Sequence, residues 1–156
     1  MPEKPQYSSC EVPRLRGEKS DNRNRRYAFK EDFTWKGVKL QEYKEGGADW
    51  SAIARQVLIG ARGESSGFHL RYFEIMPGGY SSFETHKHEH VVICIRGKGR
   101  ARVNRRSIDL KYLDVLYINP ETVHRLSNPF KEPFGFFCIV NARRDRPWPV
   151  KMKNQK

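Results

Sequence analysis

The chain holds few cysteines, no long apolar run and no segment of clear helical periodicity, and each shortage excludes something. Cys10, Cys94 and Cys138 are the three cysteines among 156 residues, too few and too spread for a disulfide framework. Cys94 and Cys138 sit in apolar runs, where a thiol is expected buried. No stretch approaches the ~18 consecutive apolar residues that a membrane-spanning helix needs. The opening MPEKPQYSSC is polar and lacks an apolar signal region, which points to a cytoplasmic protein. No amphipathic segment of good length appears and no internal repeat is visible, which sets aside helical bundles and solenoids.

The chain is strongly basic overall, yet its middle has little net charge. The formal total is +12. Residues 1–30 carry eight Lys/Arg against four Asp/Glu, and residues 141–156 carry six against one, leaving +3 for residues 31–140. Basic excess gathered in the ends gives weak, salt-sensitive attraction to nucleic acid. Arg96, Lys98, Arg100 and Arg102 alternate along one stretch, and Arg105 and Arg106 follow Asn104. A phosphate-binding stripe is one use for them; a solvated edge that discourages strand-to-strand aggregation is the other. No aromatic residue interleaves them, as a single-strand binder requires, so nucleic acid is not expected as a partner.

What the chain does have is a dense series of strand signals. ARQVLIG, FHLRYFEIM, VVICIR, GRARV, DVLYI, VHRLSN and FGFFCIV are short runs rich in branched and aromatic residues. Gly, Pro and Asn separate them, notably at Pro77-Gly78-Gly79, Gly97, Asn104 and Asn119-Pro120. Many short strands at even spacing mean a sandwich or barrel. The reading is one all-β domain over residues 31–146, with a basic, partly extended arm over residues 1–30 and a basic tail over 147–156. Residues 31–52 supply Phe33, Trp35, Val38, Leu40, Tyr43 and Trp50, enough apolar surface to dock on the domain.

Four of the five histidines fall in two short segments, GGYSSFETHKHEHVVICIRG and INPETVHRLSN. Alternate residues of a strand share a face, so Glu84, His86, His88 and His90 can all point one way. Burying that set without a cation is costly. Imidazole and carboxylate are the usual ligands of zinc and of redox-active divalent metals.

The first segment resembles the first motif of the cupin superfamily, which runs Gly, five residues, His-x-His, three or four residues, Glu, six residues, Gly. Here it starts at Gly78 and ends at Gly97. Glu84 falls on the first His position, His86 on the second and His90 on the Glu position, so the outer ligands have exchanged residue types while the spacing is kept. The second segment resembles the second motif through His124 and Asn128. Leu113 and Glu121 stand where that motif has glycines, and Asn119 replaces its Pro. The wider segments around residues 71–90 and 132–147 look like a subgroup of small single-domain cupins.

The resemblance implies a jelly-roll barrel (a double-stranded β-helix) holding one divalent metal through Glu84, His86, His90 and His124. An all-imidazole set with His88 in place of Glu84 is the rival. A carboxylate suits manganese, iron or nickel, and four imidazoles tilt toward copper or zinc. Glu89 is a candidate acceptor for a ligand imidazole, against a solvated strand end. Arg71 and Arg125 read as surface arginines, with an anionic ligand as their rival use. The implied function is a metal-dependent enzyme on a small organic substrate, an anionic one among the options, with dioxygenase, lyase, isomerase and decarboxylase chemistry all open. The alternative is a non-catalytic ligand-binding or sensing module whose basic tails contact nucleic acid or an acidic partner.

A homodimer is expected, because small cupins commonly pair barrels and the stretch from residue 31 to Gly60 offers apolar surface beyond one barrel's need. Light scattering across micromolar concentrations should return twice the chain mass of 18.3 kDa; a constant monomer mass would contradict it.

Overall fold

The computed structural model describes residues 21–44, 49–144 and 148–150. Most of the expected N-terminal arm, Cys10 and most of the expected tail therefore lie outside the described residues. Among the described residues, eleven strands with antiparallel pairing form one connected sheet that rolls into a nearly closed jelly-roll barrel. They are β1 (Leu40–Glu42), β2 (Ser51–Ile59), β3 (Phe68–Tyr80), β4 (Glu84–Thr85), β5 (His90–Arg96) and β6 (Gly99–Val103), then β7 (Arg106–Leu110), β8 (Val115–Ile118), β9 (His124–Ser127), β10 (Phe134–Asn141) and β11 (Trp148–Pro149). The neighbour order is β11-β4-β9-β3-β10-β5-β8; β2 lies on β3, β6 on β9, β1 on β2 and β7 on β6. One 3-10 turn, Glu31–Phe33, is the helical element among the described residues.

The seven sequence runs all carry strand. Four strands had no signal of their own, and three of these, β1, β4 and β11, span only two or three residues. The fourth, β7, reads RSIDL, poor in strand formers. It is a strand because β6 pairs with it from Gly99↔Leu110 to Val103↔Arg106, across a turn in which Asn104 takes φ 52°. Strand β3 runs through Pro77-Gly78-Gly79, where the sequence pointed to a break. Its first part pairs with β2 and β10, and its end, Tyr80, pairs with Ser51 of β2 and with Ser127 of β9. The glycines let one strand bend between neighbours: Gly78 has φ +81°, and a side chain at Gly79 would meet the Ser51 carbonyl oxygen at 2.7 Å.

Alternation sorts β3 into an inner face, His69, Arg71, Phe73 and Ile75, and an outer face, Leu70, Tyr72 and Glu74. The inner core joins Phe73, Ile75, Val92, Cys94, Phe134 and Phe136 with Ile118, Leu126 and Val140. On the outer face Tyr72 and Leu58 pack with Trp35, and Phe33, Val38, Ile95 and Phe137 close around them. Strict alternation would send Arg96 inward with Cys94. It does not, because β10 pairs Gly135 with Arg96 but Phe136 with Cys94, a register shift that inserts an extra residue. Arg96 thus joins Ile95 outside, where Nη1 donates to Glu74 Oε2 at 2.8 Å and the guanidinium stacks on Phe33.

The 31–52 segment packs most of its apolar side chains within the chain. Trp35 and Tyr43 are buried, Leu40 is exposed, and Gln56 of β2 donates to the Phe33 carbonyl at 2.8 Å. The apolar surface that motivated a dimer is therefore largely covered intramolecularly. Exposed apolar side chains gather instead at Tyr112, Leu113, Val115 and Tyr117.

Two of the departures from the motif glycines leave a backbone trace. Gly78 and Gly97 have φ +81° and +62°, and the substituted positions keep the same left-handed conformation: Leu113 has φ 68° and Glu121 has φ 62°. L-residues pay roughly 1–2 kcal/mol there. Leu113 is exposed, so its side chain contributes little packing to lose. Leu113→Gly and Glu121→Gly are each expected to raise stability by about 1 kcal/mol in urea unfolding, and Leu113→Val to lower it.

Candidate metal centre

Strands β4 and β5 are joined by residues 86–89, and β9 lies beside β4. Glu84 pairs with His124 across β4–β9, and His90 with Ile118 across β5–β8. This topology brings His86, His90 and His124 together inside the barrel. All three are buried, and one ring nitrogen from each lies within 4.8 Å of the others. His90 Nε2 and His86 Nε2 are 2.6 Å apart. Two bare lone pairs at that separation repel, so a proton or a cation belongs against them.

The opposite ring nitrogens have partners. His86 Nδ1–H donates to the His88 carbonyl at 2.7 Å and His124 Nδ1–H to the Thr122 carbonyl at 2.8 Å. His90 Nδ1 meets the Cys138 thiol sulfur at 3.1 Å. Carbonyl acceptors fix the protons of His86 and His124 on Nδ1, so their Nε2 lone pairs face the centre, as in metal-binding histidines. Burial, with His124 and His86 close by, holds His90 well below its ordinary pKa. His124 is also lowered, chiefly by burial. Neutral imidazole is the form a metal takes. The donor set fits a borderline divalent ion.

Glu84 is buried on the same side. Its Oε2 accepts from Lys44 Nζ at 3.0 Å, and Lys44 also donates to Ser82 Oγ at 2.7 Å. The carboxylate is thus at the site's edge and engaged with a cation from the 31–52 segment. His88 is buried too, its ring stacked flat on His86 at 3.6 Å. Its carbonyl orients His86, while its ring stands outside the three-nitrogen group. Glu89 bonds Asn141 at 3.3 Å; the imidazole partners described above are carbonyls and a thiol. His69, the fifth histidine, packs against Gly60 and accepts from Arg144.

A cavity of about 40 Å³ adjoins the centre, lined by His90, His124, Glu84, Arg71 and Cys138 and otherwise by mostly apolar side chains, among them Ile53, Val92 and Phe136. The surface reading of Arg71 is corrected: it is 1% exposed. It pairs with Cys138 across β3–β10, and its Nη2 donates to Cys138 Sγ at 3.2 Å. Arg125 is partly buried, bonds the Ser81 and Asp49 carbonyls and stacks on Tyr80. Arg71 and Cys138 were visible in principle. Each shares strand parity with core aromatics, Arg71 with Phe73 and Cys138 with Phe136. Lys44 had no signal, since only the tertiary fold brings it to Glu84. The basic β6 stripe divides: Arg100 pairs with Asp109, and Arg102 stacks on Phe83.

The family profile described as Cupin domain matches residues 71–140. The chain is 40% identical over 120 residues to the 1-methylthio-D-xylulose 5-phosphate methylsulfurylase of Rhodospirillum rubrum, covering 76% of each chain. Among solved structures it is similar to a cupin-2 domain protein of the same organism, with 38% identity, TM-score 0.71, and 79% of this chain and 82% of that one covered. A cupin 2 conserved barrel protein of Rhodopseudomonas palustris gives 34% identity, TM-score 0.75, and 81% and 87% coverage.

Substitution should separate the roles of these imidazoles. His86→Ala and His124→Ala are expected to strip most bound divalent metal from protein purified without an affinity tag, as read by elemental analysis. His88→Ala is expected to remove much less. Complete loss on His88→Ala would make its ring a ligand.

Proposed function

The chain belongs to the cupin family, and from that premise we propose that it is a metal-dependent enzyme acting on a small anionic organic substrate. The observation that carries the proposal is the convergence of three buried imidazoles beside a small, largely apolar cavity that His90 and His124 line. His86, His90 and His124 would hold the ion, with Glu84 as fourth ligand once its carboxylate turns from Lys44. A divalent ion so held would supply Lewis-acid chemistry to the site.

The residues of the chain do the rest. The His88 and Thr122 carbonyls hold two imidazoles in one tautomer. The apolar walls exclude water and strengthen electrostatic interactions inside. Lys44 holds Glu84 in place through its ammonium until the carboxylate is needed as a ligand or as a base. The Rhodospirillum relative sets the first substrate to try. By its name it acts on a phosphorylated ketose with a methylthio group, and that class fits an anion-attracting pocket.

Protein loaded in turn with manganese, iron, nickel, zinc or copper should consume 1-methylthio-D-xylulose 5-phosphate, followed by proton NMR through the S-methyl signal, with and without an added thiol. His124→Ala should lower the rate at least about 100-fold. Glu84→Gln should weaken metal binding while leaving the three-histidine site able to load at high metal concentration. Failure of all five metals to support turnover would remove this substrate. Absence of any bound metal would remove the enzyme reading itself.

A further inference from the structure

We infer that Arg71 forms an oxyanion subsite in the cavity, so that the bound substrate is an anion with its charged oxygen against the guanidinium. This rests on the metal-binding reading above and adds to it the residue that selects the substrate.

Arg71 lies on the inner face of β3, 1% exposed, in one row with the buried Phe73 and Ile75. It lines the same cavity as His90 and His124. Its orientation is held from two sides: the guanidinium carbon lies 5.0 Å from the Phe73 ring centre, and Nη2 donates to Cys138 Sγ at 3.2 Å. An arginine does not deprotonate in a protein, so a fixed cation lines the cavity at every physiological pH, in the same wall as the Glu84 carboxylate that Lys44 engages. Burying that charge is costly, and charge-assisted hydrogen bonds gain strength within apolar walls. Cys138 links the subsite to the metal centre, since its sulfur also meets His90 Nδ1 at 3.1 Å. One oxygen of a bound ligand can therefore face the imidazoles while another faces the guanidinium. A cavity of about 40 Å³ admits only a few water-sized groups. The part of the substrate that enters is thus a compact head, such as a carboxylate or an enolate, and any larger remainder stays at the mouth.

The test compares wild type, Arg71→Met, Arg71→Gln and Arg71→Lys, each loaded with manganese and its metal content measured. Binding of glycolate, pyruvate and neutral ethylene glycol is followed by water-proton relaxation. At equal metal content, at least one acid should bind wild type about tenfold or more tightly than Arg71→Met or Arg71→Gln, with Arg71→Lys between, since lysine keeps the charge and loses the planar fork. Ethylene glycol should not distinguish them. Equal affinity of the acids for wild type and the neutral variants overturns the inference, as does no binding of either acid to wild type. Should Arg71→Met fail to fold, Arg71→Gln and Arg71→Lys carry the comparison. If wild type takes up no manganese, that result bears on the choice of metal and not on the subsite. Calorimetry on the metal-free protein then decides the subsite by the same tenfold criterion.

Discussion

The orientation of three imidazoles depends on what their Nδ1 atoms hold. Two of those partners are main-chain carbonyls, and a carbonyl is only as fixed as its loop. The His88 carbonyl belongs to the turn between β4 and β5, and the Thr122 carbonyl to the loop before β9. The two loops are tied directly, because Glu121 N–H donates to the His86 carbonyl at 2.7 Å. Glu121 makes that bond from a left-handed conformation, so backbone strain is spent where the two ligand-bearing loops meet. Asn128, fully buried, anchors the far end of β9. Its Nδ2 donates to the Ile75 and Glu132 carbonyls, and its Oδ1 accepts from Phe130 N–H. The site is thus held by main-chain geometry that the barrel itself determines.

Much of this was legible in the sequence, and the parts that were not share a cause. Branched and aromatic runs located seven strands because each buries a face of its own. Strand β7 was invisible because its pairing with β6 makes it a strand. The bend of β3 through Pro77-Gly78-Gly79 was hidden because local punctuation does not reveal a strand that passes from one neighbour to another. The histidine cluster was legible from spacing alone. Strand parity alone did not say which of its members converge, since His86 and His88 have the same parity; the motif resemblance singled out His86, His90 and His124, and the turn at 86–89 is what separates His88 from them. Arg71 was misjudged as a surface residue even though the alternation of FHLRYFEIM put it beside Phe73 and Ile75.

The inner face of the barrel carries an unusual load. Arg71, Glu84, His86, His90 and His124 are all buried in or beside an apolar core, and each is costly to dehydrate. A purely structural barrel would gain stability from hydrocarbon at these positions. Their grouping round one cavity is the pattern of a functional centre, and the family to which the chain belongs gives that grouping a common framework. Glu84 and Lys44 add a partly buried ion pair at its edge, which ties the 31–52 segment to the barrel's inside.

X-ray absorption at the edge of the bound metal tests the arrangement most directly, because it counts imidazoles and detects sulfur. With Nδ1 committed to carbonyls and a thiol, three Nε2-bound imidazoles should appear at roughly 2.0–2.2 Å together with oxygen ligands. A sulfur shell near ~2.3 Å would place Cys138 on the metal and contradict its role as partner of His90. An imidazole count of four would bring the His88 ring into the site and remove the distinction between it and His86.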